Sequence, residues 1–365
     1  MKRIYLWGIL GVFFLFSFLS FSQEVFHRAM WQEEFGEGRV RCNLCPFRCV
    51  LGEGQVGQCR VRKNIGGVLY SLNYGKIVAA HIDPVEKKPV FHFLPGTGIF
   101  SIATAGCNLH CKYCQNWAIS QKSPSEVEYT YMRPQDIVEL AKRYKCSSLA
   151  YTYTEPVVFY ELVYDTAKLA KKEGLYNVMI TAGYINEEPL RKLCKVMDVI
   201  KVDFKGYSQD FYQKVVFGDL KVILRNLKII KEEGAWLEVV NLVVPTLNDS
   251  EEDIRGLCLW IKENLGESVP LHFSRFYPMY RLTNLPPTPV STLEKAWRIA
   301  KEVGLKYVYI GNVPGHPYES TYCPKCGKVL IKRRGYQVLE NNLIGGRCKF
   351  CGEKIPGIWE KKVNN

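Results

Sequence analysis

From about residue 98 the sequence alternates between short apolar, β-branched runs and longer amphipathic segments. Ile99–Thr104, Leu149–Tyr153, Asn177–Thr181, Val199–Phe204, Leu237–Val244, Leu271–Ser274 and Tyr307–Ile310 read as strands. Between them lie helical patterns. The first covers 133–144 with Pro134 in its first turn, and the second runs from Val157 to Glu173, stopped by Gly174. Glu187–Lys195 and Leu220–Glu233 follow, the latter ended by Gly234. A helix capped by Ser250 runs to about Asn264, and Thr292–Val303 precedes Gly304. Six strand–helix units and a closing strand predict an α/β fold with parallel strands under a layer of helices. Six units are too few for an eightfold barrel, so a partial, TIM-like (β/α)6 barrel is expected over residues 98–312.

In such a fold the reactive face lies at the carboxyl ends of the strands. Cys107, Cys111 and Cys114 follow the first strand, Thr154-Glu155-Pro156 the second, and Thr181-Ala182-Gly183 the third. Asp203 and Lys205 end the fourth, Asn241 lies in the fifth, and His272 and Arg275 mark the sixth. Thiols and polar groups are thus expected to converge on one mouth.

The 14 cysteines fall into three groups, with Cys146, Cys194 and Cys258 left over as buried small hydrophobes. Cys107, Cys111 and Cys114 form C-x3-C-x2-C. Three thiolates can hold three irons of a [4Fe–4S] cube and leave the fourth open to a ligand, as catalytic zinc keeps one position open. Cys323-x2-Cys326 and Cys348-x2-Cys351, each followed by Gly, form two knuckles around a strand-rich stretch and read as a structural Zn2+ ribbon over residues 313–365. Cys42, Cys45, Cys49 and Cys59 are spaced less regularly within a module spanning residues 26–75. Zinc or a second iron–sulfur cluster fits them, with zinc the first expectation. Residues 76–97 read as a turn-rich connecting segment.

C-x3-C-x2-C with Tyr113 before the last Cys is the signature of the radical S-adenosylmethionine (SAM) superfamily, and "GCNLHCKYCQNW" resembles the branch containing pyruvate formate-lyase activating enzymes. Over residues 30–360 the chain more closely resembles the radical SAM enzymes of the AmmeMemoRadiSam system. "CNLCPFRC", "EKKP", "YTYTEPVVFYE", "VDFKG", "FYPMYRLTNLPPTP", "YVYIGNVPGH" and "TYCPKCG" carry that likeness. The resemblance implies a [4Fe–4S] cluster that cleaves SAM reductively to methionine and a 5′-deoxyadenosyl radical, which abstracts hydrogen from a substrate. It implies SAM contacts from Tyr113, Glu155, Asp203 and Lys205. Thr154-Glu155 stands where related enzymes carry Gly-Gly-Glu, without the two glycines. It also implies an electron donor of flavodoxin or ferredoxin type, and partner proteins of Memo and AMMECR type.

The net charge of +13 leaves nucleic acid open as a partner, although no long basic run stands out. A tRNA-modifying radical SAM enzyme is therefore one alternative, and a non-enzymatic iron–sulfur and zinc electron-transfer protein is another. Residues 1–25 read as a hydrophobic leader, a signal peptide or a membrane anchor: Lys2 and Arg3 precede an uncharged run, and Ser20-Phe21-Ser22 looks like a cleavage site. The metal chemistry instead suits the cytoplasm, which places the start near Met30 if the leader is not translated.

Overall fold

The computed structural model describes residues 26–362, so the expected leader lies outside the described residues. Its centre is a nine-stranded sheet. Eight strands are labelled here: β1 (Lys76–Pro84), β2 (Gly98–Thr104), β3 (Ser148–Tyr151), β4 (Tyr176–Thr181), β5 (Val199–Asp203), β6 (Trp236–Val243), β7 (Leu271–Arg275) and β8 (Val308–Gly311). From β2 to β8 neighbouring strands are parallel and follow the order of the chain. Six helices cross between them: α1 (Pro134–Arg143), α2 (Tyr160–Lys172), α3 (Glu187–Cys194), α4 (Leu220–Glu232), α5 (Glu251–Asn264) and α6 (Val290–Val303). The expected partial (β/α)6 barrel is the observed architecture. Strands buried on both faces explain the unbroken apolar runs, such as Ser148–Tyr151, buried at every position.

Two elements differ from the sequence reading. The segment expected to connect, 76–97, contributes β1, a nine-residue strand antiparallel to β2, and β1 in turn pairs with Thr130–Tyr131. Alternation is broken by a bulge between Ile77 and Ala79, which hides the strand from a period-two search. The second helix is preceded by a 3-10 turn, Pro156–Phe159, because the Glu155 carboxylate accepts from the Val157 N–H and Pro156 occupies the first helical position.

Small modules pack on either side. At the N-terminus, Arg62–Ile65 and Val68–Ser71 form a hairpin joined by His27–Arg28, and a second three-stranded sheet carries Cys42. This module is fastened to α2 and α3. The buried Arg62 guanidinium donates to both Glu161 carboxylate oxygens at 3.0 and 2.7 Å, and the Met30 N–H donates to Glu161 at 2.8 Å. The Asn186 side chain donates to the Asn43 and Cys45 carbonyls at 2.7 and 3.1 Å.

At the C-terminus, Val329–Arg334 and Gln337–Asn341 form an antiparallel hairpin. It docks over Phe91, Tyr307 and Tyr309. Beneath it the buried Glu238 accepts from the Phe91 and His92 N–H groups at 2.9 and 2.8 Å, and its carboxylate pairs with the His272 ring at 2.8 Å. No helix among the described residues is long and apolar enough to cross a membrane.

Arg62 and Glu161 are about 1% exposed, so neutralising one leaves the other charged and dry. Glu161→Gln is expected to lower unfolding free energy by about 3 kcal/mol, read from chemical denaturation midpoints. A loss below about 1 kcal/mol would mean the pair does not fasten the module.

Candidate active site

Gly106 turns the chain out of β2 with φ of +99°, and a Cβ there would lie 2.5 Å from Val61 Cγ1 and 2.8 Å from the Cys59 carbonyl oxygen. Only glycine allows the N-terminal module to sit this close to the cysteine loop. From the other side, a π-helical turn at Tyr212–Val216 holds the loop: the His110 and Lys112 N–H groups donate to the carbonyls of Val216 and Val215 at 3.3 and 3.0 Å. Within the loop the Leu109 N–H points at Cys107 Sγ, 3.3 Å away, and Cys114 Sγ lies 3.2 Å from the Ser120 hydroxyl.

All three cysteines line a cleft of about 460 Å³ at the carboxyl edge of the parallel strands, together with Tyr113, Glu155, Asp203 and Lys205. Every residue expected at the mouth from the C-x3-C-x2-C loop and its SAM contacts is therefore brought together. Glu155 is buried, and its carboxylate accepts from the Thr181 hydroxyl at 2.5 Å and the Ala182 N–H at 2.8 Å. Burial raises its pKa, and these donors oppose the rise. Asp203 sits between two lysines, Lys201 and Lys205, with Lys205 Nζ at 3.1 Å. Burial alone would raise the Asp203 pKa, but the two ammonium groups outweigh it and hold the carboxyl at about 2. Tyr113 is buried, and its hydroxyl has no hydrogen-bond partner.

Asn241, His272 and Arg275 do not reach the cleft. The Asn241 amide donates to the Phe204 carbonyl at 2.9 Å, and Arg275 Nε donates to the Thr288 carbonyl at 2.8 Å. His272 is the second residue of β7, near the amino end of the sheet, under the C-terminal module and paired with Glu238. A strand position read without its depth along the barrel placed it at the wrong end.

The cleft also holds residues the sequence reading passed over. Lys201 is one: it alternates with the expected Asp203 and Lys205 along β5 and its exit, so one strand face presents all three, and that spacing was the available signal. Lys88, from "EKKP", is buried beside the cleft, with Nζ 2.5 Å from Asp83 and 4.1 Å from the Tyr153 ring centroid. Burial lowers its pKa to about 8 against the pull of Asp83. Tyr153, also bonded to Asp83, holds a left-handed φ of 62° at the end of β3, where its carbonyl accepts from the Asn116 amide at 2.6 Å. Tyr336, at the tip of the C-terminal hairpin, closes one side.

The donor set fits a cationic cluster. Burial pushes the thiols of Cys107 and Cys111 up, that of Cys111 to about 12, and neighbouring Glu155, Cys114 and Asp203 add to the penalty. Lys205 opposes the rise at Cys111. Ionised together in this loop, the three sulfurs would need a cation among them to offset burial. The sulfurs are not gathered for one ion. Among the described residues only Cys323, Cys326, Cys348 and Cys351 form a group of three or more metal-type ligands with all donor atoms within 4.8 Å. In that group two sulfur pairs are 3.6 and 3.8 Å apart, matching the spacing of about 3.8 Å for a tetrahedral ion with 2.3 Å bonds. The ribbon cysteines can thus hold one metal ion, whereas the barrel-loop sulfurs do not form such a group.

Comparison with known proteins agrees with this geometry. Residues 101–258 match the model of the radical SAM superfamily. An uncharacterized protein of Methanocaldococcus jannaschii is 50% identical over 329 residues, spanning 90% of this chain and 98% of that one. The pyruvate formate-lyase-activating enzyme of Clostridium pasteurianum is 27% identical over 173 residues, or 46% of this chain and 71% of that one. Among solved structures, Streptococcus suis SuiB bound to S-adenosylmethionine matches at 11% identity with a TM-score of 0.48, over 62% of this chain and 53% of that one. The family match and the sequence relatives place the chain in the radical SAM superfamily, as an enzyme related to the pyruvate formate-lyase-activating enzymes.

Proposed function

We propose that Cys107, Cys111 and Cys114 hold a [4Fe–4S] cluster with one open iron, and that SAM bound there drives hydrogen abstraction from a protein substrate. The observation that carries this reading is the meeting of three cluster-type thiols with an acidic and a basic anchor in one cleft. When bound, cluster and SAM supply one-electron cleavage of a sulfonium carbon–sulfur bond.

The chain's own groups bind, orient and exclude. Glu155, aimed by Thr181 and Ala182, is the residue to receive the SAM ammonium, a charge-assisted contact. Lys205 is the residue to receive the SAM carboxylate. Asp203 keeps Lys205 protonated and shields it from the like charge of Lys201. Leu109, Tyr113, Val240 and Leu242 line the same cleft and keep water from a reactive intermediate. On this reading Cys323, Cys326, Cys348 and Cys351 hold a structural zinc ion, and a carrier of flavodoxin or ferredoxin type supplies electrons. The names of relatives such as the pyruvate formate-lyase-activating enzyme record protein targets, which supports a protein as the hydrogen donor here. Partners of Memo and AMMECR type are then the first candidates to test.

Anaerobic protein given dithionite and SAM is expected to release 5′-deoxyadenosine. Cys111→Ala abolishes this release and removes about four irons per chain. Cys326→Ala removes the ribbon metal and lowers thermal stability while the barrel iron stays. Identical behaviour of the two variants would show that the cysteines do not divide into catalytic and structural sets. With the cluster intact, absence of 5′-deoxyadenosine would leave an electron-transfer protein instead.

Asp203→Asn leaves Lys201 and Lys205 as unshielded like charges, so a stability loss of roughly 2–4 kcal/mol is expected with weaker SAM binding. Lys201→Met in that background should recover part of the stability. Strict additivity of the two substitutions, measured by denaturation, would show that the three groups do not act as a unit.

A further inference from the structure

The N-terminal cysteines are not explained by the barrel site. Cys42, Cys45, Cys49 and Cys59 all line one small cavity, walled otherwise by Leu44 and Phe47 and by Val157 and Val158 of the turn before α2. Two side chains from outside the four-cysteine set face the same space. Arg62 is 1% exposed, and its Nε and Nη1 have no hydrogen-bond partner, although Nη2 is held by Glu161. Asn108 is fully buried, its amide nitrogen donates to the Tyr184 carbonyl at 2.7 Å, and its carbonyl oxygen is unpartnered. A buried cation with two unused donors, beside four thiols, is a site built for an anionic assembly.

Spacing sets the N-terminal cysteines apart from those of the ribbon. The ribbon cysteines are gathered for one ion, and the N-terminal four are not: among the described residues they do not form a group within 4.8 Å. The C-x3-C-x2-C set of the barrel loop does not form such a group either. Gly57 sits between two of them, a Cβ there lying 3.7 Å from Cys49 Sγ and 3.8 Å from Cys59 Sγ.

We infer that Cys42, Cys45, Cys49 and Cys59 hold a second iron–sulfur cluster with all four thiolates filled, not a single zinc ion. The cluster lies next to the first. Cys59 and Val61 pack on Gly106, and Asn108, which lines the cavity, directly follows Cys107. A fully ligated cluster offers no open iron to substrate, so its role is to store and pass single electrons, received from the reduced external carrier. The assignment does not rest on the radical SAM reading, because the two cysteine sets are removed by different substitutions.

The test uses the full chain, purified and reconstituted anaerobically with iron and sulfide. Wild type is expected to hold about eight irons and eight sulfides with one zinc, and Cys45→Ser or Cys59→Ser about four of each with the zinc unchanged. Cys111→Ala, which keeps the N-terminal set, also holds about four, now without SAM-dependent change in its electron paramagnetic resonance signal. The reduced wild type should show a signal broadened by coupling of two nearby clusters, and each variant a simple one. About four irons with two zincs in the wild type, or Cys45→Ser and Cys59→Ser chains that lose zinc and keep all their iron, would overturn the inference. Should both serine variants fail to fold, the wild-type metal count and the Cys111→Ala count decide alone. A failure of the radical SAM reading would appear separately, as Cys111→Ala retaining all the iron.

Discussion

The arrangement turns on the close approach of two backbones at Gly106. A left-handed residue with no side chain lets the Cys59–Val61 segment lie against the exit of the first parallel strand. The cysteine loop that follows is then held between that segment and the π-helical turn at Tyr212–Val216. An iron–sulfur site needs sulfurs fixed in advance, since each buried thiolate is costly until its metal arrives. Here the fixing is done by main-chain hydrogen bonds and packing from two distant parts of the chain.

Charge in the cleft is arranged by the same economy of neighbours. Glu155 is held by a hydroxyl and two amides, and stays poised for a cation. Asp203 is flanked by two ammonium groups, which hold its pKa down although the side chain is partly buried. One carboxylate is kept by dipoles and the other by charges. On the proposed reading, a zwitterionic ligand would meet Glu155 with its amine and Lys205 with its acid, while Asp203 holds Lys205 in place.

Much of this was legible in the residues. The strand–helix alternation set the parallel order, and the cysteine spacing after Thr104 set the location of the site. The fold of Glu155, Asp203 and Lys205 into one mouth followed from their places after successive strands. Depth along a strand was not legible: His272 and Asp203 look alike in a linear reading, yet one lies near the start of its strand and the other ends it. β1 was hidden by its bulge, and the buried Lys88 by the turn-like composition around it. The choice between one ion and a cluster at Cys42, Cys45, Cys49 and Cys59 depends on sulfur positions in space, which spacing along the chain does not encode.

Tyr336 belongs to a hairpin stiffened by the ribbon knuckles, yet it borders the barrel cleft. The rim of the cleft is therefore framed partly by a module outside the barrel. Lengthening or trimming that hairpin would change what fits through the opening while leaving every reacting group in place, a route by which relatives sharing one core could diverge in what they accept.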